Sequence, residues 1–277
     1  MKFHFQQGFT LIEIAIVLLI VTILLGYTVA MFPIQQELKQ YRQVELEMDE
    51  IIKHLIGFAQ VNGRLPCPDT SGDIYATGTA GIIDGQEDND DLIVNATGVA
   101  GTDNITDDCK AYSGFLPAGT IGINGDTNVN GSLLDPWGEP YRYHVSDINF
   151  ASAATTAAVD LVSPTGIREE GLSNVIPDLF ICADSNVIGN DNDCDDVTGT
   201  EVFGNIAVVL ISTGKDRNNV TSNIQLENTD DFHDGTNDRV YIISTRSDVA
   251  GSEYDDVLRW ISPNVLYSKM IEAGQLP

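Results

Sequence analysis

The chain has 277 residues, 43% of them hydrophobic, and its 14 basic and 41 acidic side chains give a formal charge of -27. That apolar share supports a real core and excludes global disorder, and the length allows one large or two ordinary domains. The acidic excess excludes nucleic acid and anionic headgroups as partners of the surface, since both need clustered Lys and Arg. It reads as a solvated surface with carboxylates left over for cations.

The N-terminus is the most patterned stretch. A leader, Met1 to Gly8, carries Lys2 and is followed by Phe9-Thr10-Leu11-Ile12-Glu13. From Ile14 to Phe32 no residue carries a formal charge, a length that suits a helix crossing a hydrocarbon core of roughly 30 Å. The helical pattern does not stop there. Ile34, Leu38, Tyr41, Val44, Met48, Ile51, Ile52, Leu55, Ile56 and Ala59 recur at three- and four-residue steps among Gln, Glu, Lys and Arg, which predicts an amphipathic continuation. Gly26 and Pro33 can kink such a helix without ending it, and Asn62-Gly63 supplies a stop. One helix is therefore expected from about Phe9 to about Gln60. The rival reading is a secretory signal cleaved at the small residues Thr28-Val29-Ala30. Glu13 argues against it, because a disposable signal has no reason to interrupt its apolar core with an acid.

A carboxylate inside a bilayer costs about 2.5–3.5 kcal/mol even on lenient scales, so Glu13 should have a partner. Cleavage after Gly8 would free an amine at Phe9, four residues from Glu13 and on the same helical face. The positive end of the helix dipole favours an acid there as well. The basic leader, the Gly8-Phe9 junction and Glu13 together resemble the N-terminus of type IV prepilins and type II secretion pseudopilins. The resemblance implies cleavage after Gly8 by a prepilin peptidase, N-methylation of Phe9, and pairing of Glu13 with the N-terminus of a neighbouring subunit during assembly. It also implies storage in the inner membrane, with the C-terminal domain in the periplasm before incorporation into a filament. Other pilin or pseudopilin subunits are the expected partners.

The four cysteines, Cys67, Cys109, Cys182 and Cys194, fit two disulfides in an exported chain. Three connectivities are open. Local pairing, Cys67–Cys109 and Cys182–Cys194, is preferred because each pair brackets an acidic loop. Zinc is poorly supported, for there is no C-x-x-C spacing and the four histidines are scattered.

Beyond Gly63 the composition shifts to Gly, Asn, Asp and Thr. Pro66 and Pro68 exclude a helix around Cys67, and 69–108 reads as a long irregular loop with a turn at Asp84-Gly85. Asp126-x-Asn128-x-Asn130-Gly131 copies half of an EF-hand loop, but Trp137 stands where the bidentate glutamate would be, so an Asx-rich turn is expected. Leu134-Asp135-Pro136-Trp137-Gly138-Glu139-Pro140-Tyr141 resembles the Asp-Pro-Trp-Gly segment of major pseudopilins, which leads into the first strand of a small antiparallel sheet. The residues themselves predict a tight turn, then a strand with Tyr141, Tyr143 and Val145 on one face. Residues 151–176 read as an insertion. Short apolar strands are expected at Leu179–Cys182, Ile206–Ser212 and Val240–Ser244. A final helix should run from Pro263 to about Ala273, with Ser262 as N-cap, Val265, Leu266, Met270 and Ile271 as its apolar stripe, and Gly274 as stop.

The strand, acidic loop, strand order of 206–244 again resembles pseudopilins, in which that loop holds calcium. The resemblance carries over loosely to Asp216, Asp231, Asp234 and Asp238; carboxylates of this kind suit a hard cation. A solvated hairpin loop is the competing reading. No P-loop, Gly-x-Ser-x-Gly or His-Glu-x-x-His string occurs, and no catalytic residue or required cofactor is assigned.

The expected class is α+β and pilin-like. A leader (1–8) precedes a long helix (9–62), whose membrane half is 9–32 and whose amphipathic half is 33–62. An antiparallel β-sheet domain with long acidic loops (63–277) completes it. The expected function is that of a filament subunit, a minor one given the large domain. A tip adhesin and a membrane-tethered periplasmic enzyme are the alternatives.

Overall fold

A computed structural model describes residues 10–70, 83–88, 109, 111–146, 161–162, 167, 177–183, 194, 200–215, 222–229 and 239–276. They divide into two units, one ending at Gln43 and the other beginning at Val44. Helix α1, Leu11–Asn62, runs through both. It ends where the sequence allows a left-handed residue, at Gly63 with φ +75°.

Within the second unit the last turns of α1 present Val44, Met48, Ile51, Leu55 and Ala59, all fully buried. These are the positions that three- and four-residue spacing predicted, because such spacing gathers side chains on one helical face. Arg259 braces the same helix through Glu45 (3.7 Å) and Asp49 (3.2 Å).

Among the described residues, seven strands form two sheets. Strands β1 (Ser113–Phe115), β2 (Arg142–Val145), β5 (Val208–Ser212) and β7 (Val257–Ile261) make an antiparallel sheet in the order β1-β2-β5-β7. Strands β3 (Leu179–Ala183), β4 (Thr200–Ile206) and β6 (Val240–Ile243) make the second, in the order β4-β3-β6. There β3 runs antiparallel to β4 and parallel to β6. Two helices complete the described elements, α2 (Asn223–Glu227) and α3 (Pro263–Glu272).

Strand alternation sorts the core into layers. In β5, Val208 and Leu210 join the α1-side cluster, whereas Val209 and Ile211 join Leu179, Ile181, Ile206, Tyr241 and Leu258 between the sheets. A strand buried on both faces must be apolar throughout, which is why this run is the plainest in the sequence. In the outer sheet, Val240 and Ile242 turn away from that layer and pack with Cys182 and Cys194.

Several expectations need correction. The Asp-Pro-Trp-Gly segment leads into the second strand, not the first, because Ser113–Phe115 already pairs with it. The expected strand at 206–212 is the end of one strand and all of another. Ile206 pairs with Leu179 in the outer sheet, while Val208 pairs with Val145 and Ile261 in the inner one. The chain changes sheets after Asn205, whose φ of +55° is a left-handed turn that asparagine tolerates better than most residues. The strands around the acidic segment therefore do not form a hairpin: β5 and β6 lie in different sheets. The region 151–176 is not all insertion, since Leu161, Val162 and Ile167 are fully buried and the Leu161 carbonyl accepts the Leu65 N–H at 2.8 Å. In α3 the buried side chains are Leu266, Tyr267 and Met270, and Val265 and Ile271 are exposed. Leu266 and Met270 keep their expected places, Tyr267 joins them one turn before Met270, and Val265 and Ile271 fall on the flanks of that stripe.

Candidate functional site

The first site lies at the front of α1. Thr10 precedes the helix, and its N–H donates to Glu13 Oε2 at 3.1 Å. The Thr10 hydroxyl also donates to that oxygen at 3.1 Å, while the Glu13 N–H donates back to Thr10 Oγ1 at 3.4 Å. This reciprocal pairing is a capping box, which satisfies two donors that a helix start leaves orphaned. The signal was in the sequence as Thr-x-x-Glu ahead of an apolar run. The sequence reading named Glu13 and passed over Thr10. Gly8 and Phe9 lie outside the described residues.

Behind the cap the side chains are apolar all round and exposed, among them Leu11, Ile12, Leu19 and Ile23. A helix apolar on every face needs an apolar environment to cover it. Among the described residues no helix is long and apolar enough to cross a membrane; the described apolar side chains run from Leu11 to Gly26, short of the roughly 20 residues a span needs.

The second candidate is the acidic segment between β5 and β6, in which residues 213–215, 222–229 and 239 are described. Asp216, Asp231, Asp234 and Asp238 all lie outside the described residues. The margins are tightly bound by groups that the sequence reading did not single out. Buried Asp255 accepts the Lys215 N–H at 2.7 Å and Gln225 Nε2 at 2.6 Å. A Cβ on Gly214, at φ +65°, would stand 2.5 Å from the Asp255 carboxyl carbon, so only glycine fits. Asn228 Nδ2 donates to Asp256 Oδ2 at 2.7 Å and its Oδ1 accepts the Ile242 N–H at 2.7 Å, which ties α2 to the edge of β6. Among the described residues no group of three or more His, Cys, Asp or Glu is placed to hold a metal ion. The EF-hand-like run is an Asx turn, with Asn128 Oδ1 accepting the N–H groups of Asn130 (2.9 Å) and Ser132 (3.0 Å).

Both disulfides are local. Cys67 bonds Cys109 with the Cα atoms 5.3 Å apart, and Cys182 bonds Cys194 at 5.6 Å. The first sits beside a bidentate pair in which Arg64 meets both oxygens of Glu87 at 2.7 and 2.8 Å. Glu87 Oε2 also takes the Cys67 N–H at 3.0 Å.

The two described histidines have structural surroundings. His54 faces the Ile121 carbonyl at 3.1 Å. His144 is buried between the sheets, where its Nδ1 contacts the Tyr241 hydroxyl. Burial first, and then the Arg239 charge, push its pKa down to about 3. An imidazole so far below neutrality stays uncharged and suits packing better than proton transfer. His4 and His233 lie outside the described residues.

Comparison with known proteins agrees with the N-terminal geometry. The model of the prokaryotic N-terminal methylation motif matches residues 4–29, a span that contains Gly8, Phe9 and Glu13. No curated protein and no solved structure matches the chain. The globular unit is thus known from its own residues, and the chain is placed by its front end: it carries the N-terminal methylation motif that is the signature of type IV pilins and pseudopilins.

Proposed function

We propose that the protein is a minor pilin or pseudopilin, stored in the inner membrane through its N-terminal helix with the C-terminal unit in the periplasm. Prepilin peptidase removes residues 1–8, Phe9 is methylated, and the helix then packs among those of other subunits in a pilus or secretion filament. The observation that carries this reading is the methylation motif over a helix start in which Thr10, the second residue after Gly8, holds the Glu13 carboxylate. The exposed apolar residues behind it supply the packing surface. The large C-terminal unit favours a minor position over an abundant one.

Mass spectrometry of the mature N-terminus tests the proposal. Methylated Phe9 is the expected product. An intact Met1 turns the protein into a membrane tether, and a start at Met31 makes it a secreted soluble protein; either result sinks the reading.

Calcium binding in the segment between β5 and β6, through Asp216, Asp231, Asp234 and Asp238, is a separate proposal. What supports it is the oxygen-rich composition of the segment and the tethering of Lys215 and α2 within it by Asp255 and Asn228. Calcium should raise the melting temperature of the wild type and not that of a D231N/D234N variant. Equal responses would remove the assignment.

A further inference from the structure

Asp69 is the most unusual acid among the described residues outside the two sites above. It is fully buried, and its Oδ1 has no hydrogen-bond partner. Its backbone is fixed by reciprocal bonds with Phe115, N–H to carbonyl at 2.9 and 2.8 Å, which extend the inner sheet past β1. The other carboxyl oxygen, Oδ2, accepts the Gly85 N–H at 2.7 Å.

That bond pins a stack of three close-packed turns. Gly85 in turn gives its carbonyl to the Gly119 N–H at 2.7 Å. A Cβ on Gly131 would lie 2.6 Å from the Asp84 carbonyl oxygen, and a Cβ on Gly85 would lie 2.7 Å from that of Gly131. The backbones are in contact with no room for side chains, so the 83–88 turn either sits in this place or leaves it.

Among the described residues, the charges that act on Asp69 are of one sign. Asp84 and Asp88 face it from the turn itself. Asp88 is bound to the Thr70 N–H at 2.8 Å, and Glu87 is already neutralised by Arg64. The other packed segments, 113–115, 117–122 and 128–132, contain no charged residue. An ionised Asp69 would be a buried anion with one oxygen unsatisfied and two like charges nearby, an arrangement that favours either protonation or opening.

We propose that the Asp69 carboxyl is a proton-operated latch for the 83–88 turn. With the proton on Oδ1, Asp69 holds Gly85 and the turn stays stacked on 117–122 and Gly131. Once the proton is lost, exposing the carboxylate to water competes with keeping the turn in place. Burial, followed by the charges of Asp88 and Asp84, moves the Asp69 pKa up to about 7, so the latch would work near neutral pH. The carboxyl in an opened turn has an ordinary, lower pKa. Opening therefore becomes easier as pH rises, up to the pKa of the closed form.

Hydrogen–deuterium exchange of the full-length protein in detergent, read at the Gly85 amide and corrected for intrinsic pH dependence, tests the idea. Protection should fall about tenfold between pH 6 and pH 8, with no matching fall at Val209 in β5. In Asp69→Asn, which mimics the neutral acid, the fall should vanish. Equal protection of the wild type at both pH values, or an undiminished fall in D69N, overturns the proposal. So does a fall that disappears when a chelator is added, since a cation and not a proton would then be at work. If D69N does not fold, carboxyl-carbon NMR of the wild type decides: a titration of Asp69 with its midpoint near 7, shared by the Gly85 amide shift, supports the latch, and a midpoint below 5 overturns it.

Discussion

The Tyr141 hydroxyl donates to Glu47 Oε2 at 2.7 Å, joining the strand that follows Asp-Pro-Trp-Gly to the buried end of α1. The bond is charge-assisted and is made at the partly buried margin of the layer that the helix shares with the inner sheet. Burial, helped by Glu47, pushes the Tyr141 pKa well up, so the phenol remains a donor at any working pH.

Tyr141→Phe should therefore destabilise the protein by about 1.5–3 kcal/mol, the range for a hydrogen bond to a charged group. Urea denaturation would show this as a lower midpoint with an unchanged slope. A loss under about 0.5 kcal/mol would mean that water replaces the bond at no cost.

The Arg64–Glu87 pair should be more sensitive still. Both side chains are mostly buried, at 13% and 18% exposure, and Glu87 also holds the Cys67 amide. Removing one partner of a buried pair costs about 3–5 kcal/mol, because the other charge stays behind uncompensated. Arg64→Met should lose more stability than the double change R64M/E87Q, as read from chemical denaturation of the three proteins.

His144 predicts acid sensitivity. Its folded pKa, about 3, lies below its unfolded value. The stability it contributes is complete above pH 6.5 and is lost as pH falls from there towards 3, by about 1.4 kcal/mol per unit. Asp69 acts in the opposite direction: its raised pKa makes its contribution complete below pH 3.8 and lost as pH rises to about 7. The two partly cancel in the wild type between pH 4 and 6.5. Comparing His144→Gln with the wild type isolates the histidine, and the gap between their stabilities should narrow on acidification.

The disulfides should differ in value. Cys67–Cys109 closes a separation of 42 residues and Cys182–Cys194 one of 12. Loop-closure entropy then assigns them about 4 and about 3 kcal/mol, respectively. Replacing both cysteines by serine in each pair, followed by thermal unfolding, should rank the longer loop as the costlier loss.

For assembly, Glu13→Ala should abolish incorporation into filaments, while the leader is still removed. Thr10→Val keeps the carboxylate and takes away only the hydroxyl of the cap. It should assemble less efficiently than the wild type and better than E13A. Sheared-filament immunoblots with antibody to the C-terminal unit would read all three; normal filament entry of E13A would remove the assembly role.

Local chemistry settled what the sequence could say. Gly8, Phe9 and Glu13 stand a few residues apart in the sequence, so their meaning does not depend on the rest of the chain, and α1, its stop at Gly63 and the Asp135 turn follow from spacing and turn residues alone. Strand partners were another matter. The exposed β4, with Val202 and Phe203 partly open to solvent, has no apolar run to announce it, and it exists because β3 offers an edge to pair with. Asn205 is an ordinary residue in the sequence, yet the fold makes it the place where the chain passes from one sheet to the other. Asp69 likewise looks like one more acid among 41. Only the tertiary structure, by placing Gly85 on one oxygen and nothing on the other, gives it a separate role. Periodicity encodes which face of an element is apolar, whereas burial and pairing depend on residues far away in the chain, and those are decided when the layers close.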